Sequence, residues 1–346
     1  MHILIVKLGA IGDIIHTLPA LAAIRAAFPA EEISWCVESR SAEILRGNPL
    51  IDNLIEIDTR AIRQNPGVNN VISELARQFG RIRQRPFDIA IDFQGLIKSA
   101  VVAKVSGAPF RWGFARKDLR EPGSRLLLTD TVKIPDMTHI VQKNLLLAEG
   151  ALSIQPTKKI EFPIFTSEEH HLEAEMITDL VGEDFAVLNP AGGWVTKLWH
   201  AEKFGQLADQ IWTEHGIKSI IATAPNEAEL ANAAIAASRT GKITAAHPTL
   251  KGFYELVKKA RVYVGGDTGP THLAVAAGAP VVAIFGPTEW WRNGSTNSDD
   301  ICVERIDIEC RTNCHRRTCS NWICMDIGVE TTAAAVTERL RKAALV

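Results

Sequence analysis

Short apolar runs alternate with longer stretches of helical spacing along the chain, and the series occurs twice. Residues 2–6 are nearly all apolar, as a parallel strand covered on both faces requires. Residues 14–28 then place apolar side chains at helical spacing, with Pro19 near the first turns. Further strands are expected at 33–37, 54–57, 88–92 and 110–114, and helices at 41–46, 69–84, 96–105 and 139–149. The 69–84 helix is basic and stops before Pro86. Residues 153–166 turn polar and proline-punctuated, which marks a linker between domains. The alternation restarts beyond it, with helices at 167–181, 201–215, 226–238 and 250–259, strands at 185–188, 218–223, 262–264 and 281–285, and an alanine-rich helix at 330–345. Strands separated by helices pair in parallel with helices on both faces, so each half reads as a doubly wound α/β sheet.

The length, 346 residues, leaves room for two such cores. A chain 46% hydrophobic and 23% charged has the profile of a soluble globular protein. The net charge of −2 provides no global field toward nucleic acid or anionic lipid, so an anionic partner must be met by a local patch. No apolar run is long enough to cross a membrane, and the start reads as a strand rather than a signal peptide. The expected location is cytoplasmic.

Four strand ends in the second half carry glycine, hydroxyl or charged residues. The most informative is Gly265-Gly266-Asp267-Thr268-Gly269, which joins the 262–264 strand to a helix over 273–277 that Gly278 ends. Pro270 suits a first helical position. A glycine-bearing turn at a helix start offers free N–H groups at the positive end of a dipole, which suits phosphate. An ordinary strand–helix turn would use similar glycines. Asn189-Pro190-Ala191-Gly192-Gly193 precedes Lys197, a point charge for phosphate or a solvated loop lysine. Glu227 follows another strand end, as a helix N-terminal acid or an acceptor for ribose hydroxyls. Thr288 closes the fourth. In the first half, Gly9-Ala10-Ile11-Gly12-Asp13 departs from the dinucleotide fingerprint, which argues against a nicotinamide oxidoreductase. Asp13 reads either as a helix N-cap or as a general base.

Taken in order, Lys7 to Asp13, Asp92-Phe93-Gln94-Gly95-Leu96-Ile97-Lys98-Ser99-Ala100, Lys197-Leu198-Trp199, Gly266-Asp267-Thr268-Gly269-Pro270-Thr271-His272 and Phe285-Gly286-Pro287-Thr288 resemble glycosyltransferase family 9, the bacterial heptosyltransferases. The resemblance runs over essentially the whole chain. The Gln94-Gly95-Leu96 segment, with Arg120-Glu121-Pro122, is more similar to the heptosyltransferase I branch. It implies a GT-B fold: two Rossmann-like domains facing across a cleft, an acceptor domain at 1–155 and a nucleotide-sugar domain at 165–328. Such folds also imply that the closing helix, 329–346, packs back on the first domain. The implied chemistry is inverting, metal-independent transfer from ADP-heptose, without a cofactor. The acceptor is the Kdo of lipid A–Kdo in the lipopolysaccharide inner core, reached by a protein peripheral to the inner membrane. By matching position, Asp13 is the base, Lys197 meets the diphosphate, Asp267, Thr268, Gly269 and His272 form the donor turn, and Glu227 lies near the ribose. Two departures stand out. His200 follows Trp199 where the family often has proline, and Gly192 and Gly193 replace paired threonines.

Acceptor anions are expected to meet Gly12, Arg60, Arg63, Lys98 and Arg120, with Arg116 nearby, because bidentate arginines fit carboxylates and phosphates. Arg81, Arg83 and Arg85 read as a solvated face. Cys310, Cys314, Cys319 and Cys324 crowd one segment without the paired spacing of a strong zinc motif, so reduced thiols or a local disulfide are expected over a metal. His315 reads as a surface residue. The rival readings are transfer to another core heptose or to a protein, and a sugar-nucleotide-binding protein without transfer activity.

Overall fold

The structure, a computed structural model, describes residues 1–58, 80, 82, 86–157, 159–311, 314 and 316–345. Arg60, Arg63, Arg81, Arg83, Arg85 and His315, and all but two residues of the helix expected at 69–84, lie outside the described residues. The chain divides into two compact units, Met1–Phe165 and Thr166–Val346, separating within the polar segment expected to be a linker.

Among the described residues the first unit holds six parallel strands: β1 His2–Val6, β2 Glu32–Glu38, β3 Asn53–Ile57, β4 Ile89–Asp92, β5 Phe110–Phe114 and β6 Asp130–Val132. Their order is β3-β2-β1-β4-β5-β6. Every residue of β1 and β4 is buried, which explains why, apart from His2 and Asp92 at their ends, they are apolar. The helices whose bounds lie within the described residues include α1 Ile11–Ile15, α2 Leu18–Ala27, α3 Ile97–Val105 and α4 Ile140–Leu152. The single helix expected over 14–28 is two. Pro19 lacks an N–H, and its ring would clash with the carbonyl of Ile15, so the chain breaks and restarts with the proline in the first turn of α2. The buried Asn144 of α4 fastens this break, donating from Nδ2 to the carbonyl of His16 at 2.9 Å and to Thr17 Oγ1 at 3.2 Å. The helix expected at 41–46 is two short 3-10 turns, Ser39–Ser41 and Glu43–Leu45.

The second unit repeats the plan. Its strands are β7 Phe185–Asn189, β8 Lys218–Ala222, β9 Ile243–Ala246, β10 Val262–Gly266, β11 Val281–Phe285 and β12 Ile301–Glu304. They are parallel, in the order β12-β11-β10-β7-β8-β9. The helices are α5 Glu168–Thr178, α6 Ala201–His215, α7 Ala228–Ala237, α8 Leu250–Lys258, α9 Gly269–Ala276, α10 Trp290–Asn293 and α11 Val329–Ala343. In each unit the first strand is central, the next two extend one way and the last three the other. The sheet therefore reverses direction between β1 and β4, and again between β7 and β10. Open α/β sheets bind ligands at the carboxyl ends of strands at such a switch point.

α11 is part of the second unit, where Val329, Ala333, Val336 and Leu340 enter the core formed by α6 and strands β10 to β12. Its apolar stripe closes that core, and its buried Arg339 donates to Asp300 Oδ1 at 2.9 Å, the same oxygen that accepts from the Val281 N–H. Gly265 and Gly266, read as the turn after a strand, are its last two residues. Gly266 is needed for close approach, since a Cβ there would lie 3.2 Å from the carbonyl oxygen of Lys197. No described helix is long and apolar enough to cross a membrane.

Candidate active site

At the switch point of the first sheet, β1 runs into Lys7-Leu8-Gly9 and β4 into Phe93-Gln94-Gly95. Gly9 turns at φ +147°, a region that side-chain-bearing residues avoid, and leads into α1. The N-cap of α1 is Ala10, so Asp13 is the third residue inside the helix, and no side chain caps α1. The capping role that the sequence leaves open for Asp13 is therefore not the one it plays. Its carboxylate is 31% exposed and is held from two sides: Gln94 Nε2 donates to Oδ2 at 3.2 Å, and Arg120 Nη1 lies 3.5 Å from the same oxygen. Gln94 is itself fixed, because its Oε1 accepts from the N–H groups of Leu8 and Gly9 at 3.1 and 3.3 Å. One amide side chain thus joins both strand ends to Asp13.

Beneath this surface Lys7 is buried and donates to the carbonyl of Phe93 at 2.8 Å. Burial pulls its pKa down, against the opposing charges of Asp13 and Asp92. Asp92, also buried, is pushed up to about 6 by desolvation, although the N–H groups of Gln94 and Gly95 and the hydroxyl of Ser99 donate to it. Of the other expected acceptor residues, Gly12 is buried in α1, and Lys98 donates to the buried Glu38 at 3.2 Å. Arg60 and Arg63 lie outside the described residues.

The second sheet brings its switch-point residues together around one carboxylate. Asp267, at the end of β10, is buried. Lys197 Nζ donates to its Oδ2 at 2.5 Å and to its main-chain carbonyl at 3.2 Å. Thr288 Oγ1 donates to Oδ2 at 2.7 Å, Asn293 Nδ2 at 3.4 Å, and His272 Nε2 lies 3.2 Å from Oδ1. Burial alone would raise the pKa of Asp267. The His272 hydrogen bond and the Lys197 charge outweigh it and hold the acid well below the usual carboxylate range. Thr268 is the N-cap of α9 without a side-chain capping bond, and Gly269 and Pro270 form its first turn. A helix N-terminus without a side-chain cap leaves backbone N–H groups of the kind that can meet an anion.

The loop after β7 supplies Gly192 and Gly193, then Trp194, whose ring lies 4.1 Å below Lys197 Nζ. Glu227 follows β8, where its Oε2 accepts from the Ala224 N–H at 3.1 Å, so it closes its own turn. The segment bearing the cysteines is tied to this loop: Thr196 Oγ1 donates to the carbonyl of Arg316 at 2.5 Å, and Trp322 Nε1 donates to the carbonyl of Thr196 at 3.0 Å. Cys310, Cys314, Cys319 and Cys324 line one small cavity with Thr196, Pro287 and Trp322, and all four are free thiols. N–H groups of Trp322 and Asn321 pull the Cys319 thiol down, and burial pushes Cys324 up. Among the described residues no three His, Cys, Asp or Glu side chains form a metal-holding group.

Sequence reasoning singles out Asp13, Lys197, Asp267, His272 and Thr288 but not their supports. Gln94, Asn293 and Trp194 act through contacts at long sequence separation. Gln94 entered the sequence reading as part of the Asp92–Ala100 segment without a role of its own, and the signal for Trp194 was its place in the loop beyond β7.

Comparison with known structures places this architecture. The chain superposes with a TM-score of 0.81 on a glycosyltransferase family 9 structure from Veillonella parvula, covering 99% of this chain and 97% of that one at 22% identity. It superposes with a TM-score of 0.76 on the Escherichia coli heptosyltransferase WaaC with ADP-2-deoxy-2-fluoro heptose, covering 99% and 100% at 22% identity. Both are two-domain GT-B folds, and so is this one. The family model for glycosyltransferase family 9 (heptosyltransferase) matches residues 75–323, and the chain belongs to that family. Among its relatives is the lipopolysaccharide heptosyltransferase 1 of Pseudomonas aeruginosa, 28% identical over 92% of this chain and 88% of that protein.

Proposed function

We propose that this glycosyltransferase moves a heptose from ADP-heptose to the Kdo of the lipopolysaccharide inner core, with inversion and without a metal. The observation that carries the reading is Asp13. It stands at the switch point of the first sheet, partly open to solvent, oriented by Gln94 and Arg120, and free of any capping duty. An acceptor hydroxyl is a poor nucleophile at neutral pH. In this mechanism it passes its proton to the Asp13 carboxylate as its oxygen bonds to the anomeric carbon and the C–O bond to ADP breaks. The negative charge that grows on the departing diphosphate is met by Lys197 and by the N-terminus of α9. The names of the relatives, with the sugar nucleotide of the WaaC structure, support heptose as the sugar and ADP as its carrier.

In this reading Arg120 and Lys98 meet the anionic groups of lipid A–Kdo, a role the sequence also assigns to Arg60 and Arg63, at a protein peripheral to the membrane face. Donor contacts fall to Gly192, Gly193, Lys197, Glu227, Asp267, Thr268, Gly269, His272 and Thr288. The test is mass spectrometry of products from ADP-heptose and a panel of truncated core lipids. Heptosylation of a Kdo-terminated lipid is expected, with Asp13→Asn slowing turnover by roughly 10²–10⁴-fold while ADP binding and thermal unfolding stay unchanged. Near-parental turnover by Asp13→Asn would remove it from the mechanism. Product on a heptose-terminated core or on a protein alone would replace the acceptor.

A further inference from the structure

The donor site has a charge deficit. Lys197 is the cation expected to meet the diphosphate, yet its ammonium already faces the Asp267 carboxylate at 2.5 Å, so the pair is neutral overall. A nucleoside diphosphate brings more than one negative charge, and a helix N-terminus supplies only about half a positive charge. A second cation is needed, and one is positioned next to Lys197. The guanidinium of Arg317 lies over the Trp194 ring, 5.2 Å from its centre, while Lys197 Nζ lies 4.1 Å from the same centre. The two cations are therefore separated by no more than those two distances end to end. Among the described residues no carboxylate pairs with Arg317.

Its backbone is fastened where it must be. The carbonyl of Arg316 accepts from Thr196 Oγ1, and Trp322 Nε1 donates to the carbonyl of Thr196, so the chain beside Arg317 is hydrogen-bonded to the residue beside Lys197. The indole stabilises both cations by its ring quadrupole.

We infer that Arg317, held against Trp194, is a second phosphate-binding residue of the donor site and meets the β-phosphate of the sugar nucleotide. The inference rests on the donor reading above. A guanidinium is suited to this role because its fork of N–H groups matches two phosphate oxygens at once.

The test uses the full chain and isothermal titration with ADP and with AMP, which lacks the β-phosphate. Arg317→Met keeps the side-chain length and removes the charge. It should weaken ADP binding about tenfold at low salt and AMP binding less than twofold, since a charge-assisted phosphate contact is lost only where the second phosphate exists. The gap for ADP should close at high salt, because the group is exposed and its field is screened. Arg317→Lys should recover part of the ADP affinity. Unchanged ADP binding in Arg317→Met, or equal losses for ADP and AMP, would overturn the role of Arg317 alone. A parent chain that binds neither nucleotide would overturn the donor reading itself.

Discussion

Replacing Asp267 by asparagine keeps the shape of the side chain and removes its charge. The partners are closed off, with side chains 11% exposed for Lys197 and 4% for Asp267. The modest value of a surface ion pair, about 0–1 kcal/mol, does not apply. Removing one member of a buried pair instead costs about 3–5 kcal/mol, because the other charge is stranded. In Asp267→Asn the Lys197 ammonium keeps the carbonyl of residue 267 at 3.2 Å and the Trp194 ring at 4.1 Å, neither of which carries a full charge. The cost should fall near the top of that range. In Lys197→Met the carboxylate still has Thr288, His272 and Asn293, so the cost should fall near about 3 kcal/mol. The double variant strands no charge, and the two effects should fall short of additivity by about 2–3 kcal/mol.

The pH dependence has a definite sign. The folded-state pKa of Asp267 lies below its unfolded value of about 3.9. The stability it contributes is therefore complete above that value and is lost as the pH falls. The gap between the parent and Asp267→Asn should hold at neutral pH and narrow below about pH 4. Two units need not unfold in one step, so the assay is peptide-level hydrogen exchange in urea, read across residues 185–285. A second unit as stable in Asp267→Asn as in the parent, or costs that simply add in the double variant, would refute the account of the site as one buried charge pair.

Further expectations follow from single contacts. Gln94→Leu leaves the N–H groups of Leu8 and Gly9 without their side-chain acceptor and releases Asp13, so it should cost about 1–3 kcal/mol of stability and lower kcat. If Gln94 positions Asp13, the pH profile of kcat should shift as well, whereas a purely structural role would leave the profile in place. Gly205 sits inside α6, where a Cβ would lie 2.0 Å from the carbonyl oxygen of Ala234 in α7. Gly205→Ala should therefore destabilise the chain by about 1–3 kcal/mol despite alanine's better helix propensity, and a raised Tm would contradict the close approach.

The central strands were legible because both of their faces are buried. β11 is an unbroken apolar run, and β1 and β7 are apolar except for His2 and Asn189 at their ends. The edge strands β6, β9 and β12 escaped the sequence reading: Asp130–Val132 is three residues with no apolar run, and all three strands are partly exposed. The site divides in the same way. Asp13 and Asp267 were found because strand-to-helix turns mark themselves with glycine. The grip of Gln94 on Asp13 depends on β4 lying beside β1, and the pairing of Lys197 with Asp267 on β7 lying beside β10. Strand order of that kind is set by packing. The direction in which α11 folds is likewise invisible in its own composition, which gives an apolar stripe but not the surface it covers.

The tie between Thr196 and residues 316 and 322 has a consequence for how the molecule is made on the ribosome. Lys197 is synthesised long before the segment that fixes its loop, and Trp199 must wait for the carbonyl of Ile327, to which its Nε1 donates at 2.9 Å. The core beneath that loop stays open until α11 has emerged with Val336 and Leu340. The first sheet, by contrast, has all its strands by Val132, and α4 is complete at Leu152. Synthesis from the N-terminus therefore completes the half that carries Asp13 early, while the half that carries Lys197 can close only as translation ends. Chains stalled at Gly328 should show protease protection over 1–58 and 86–157 and fail to bind ADP. Nucleotide capture by such a stalled chain would show that the donor loop can set without its late-made brace.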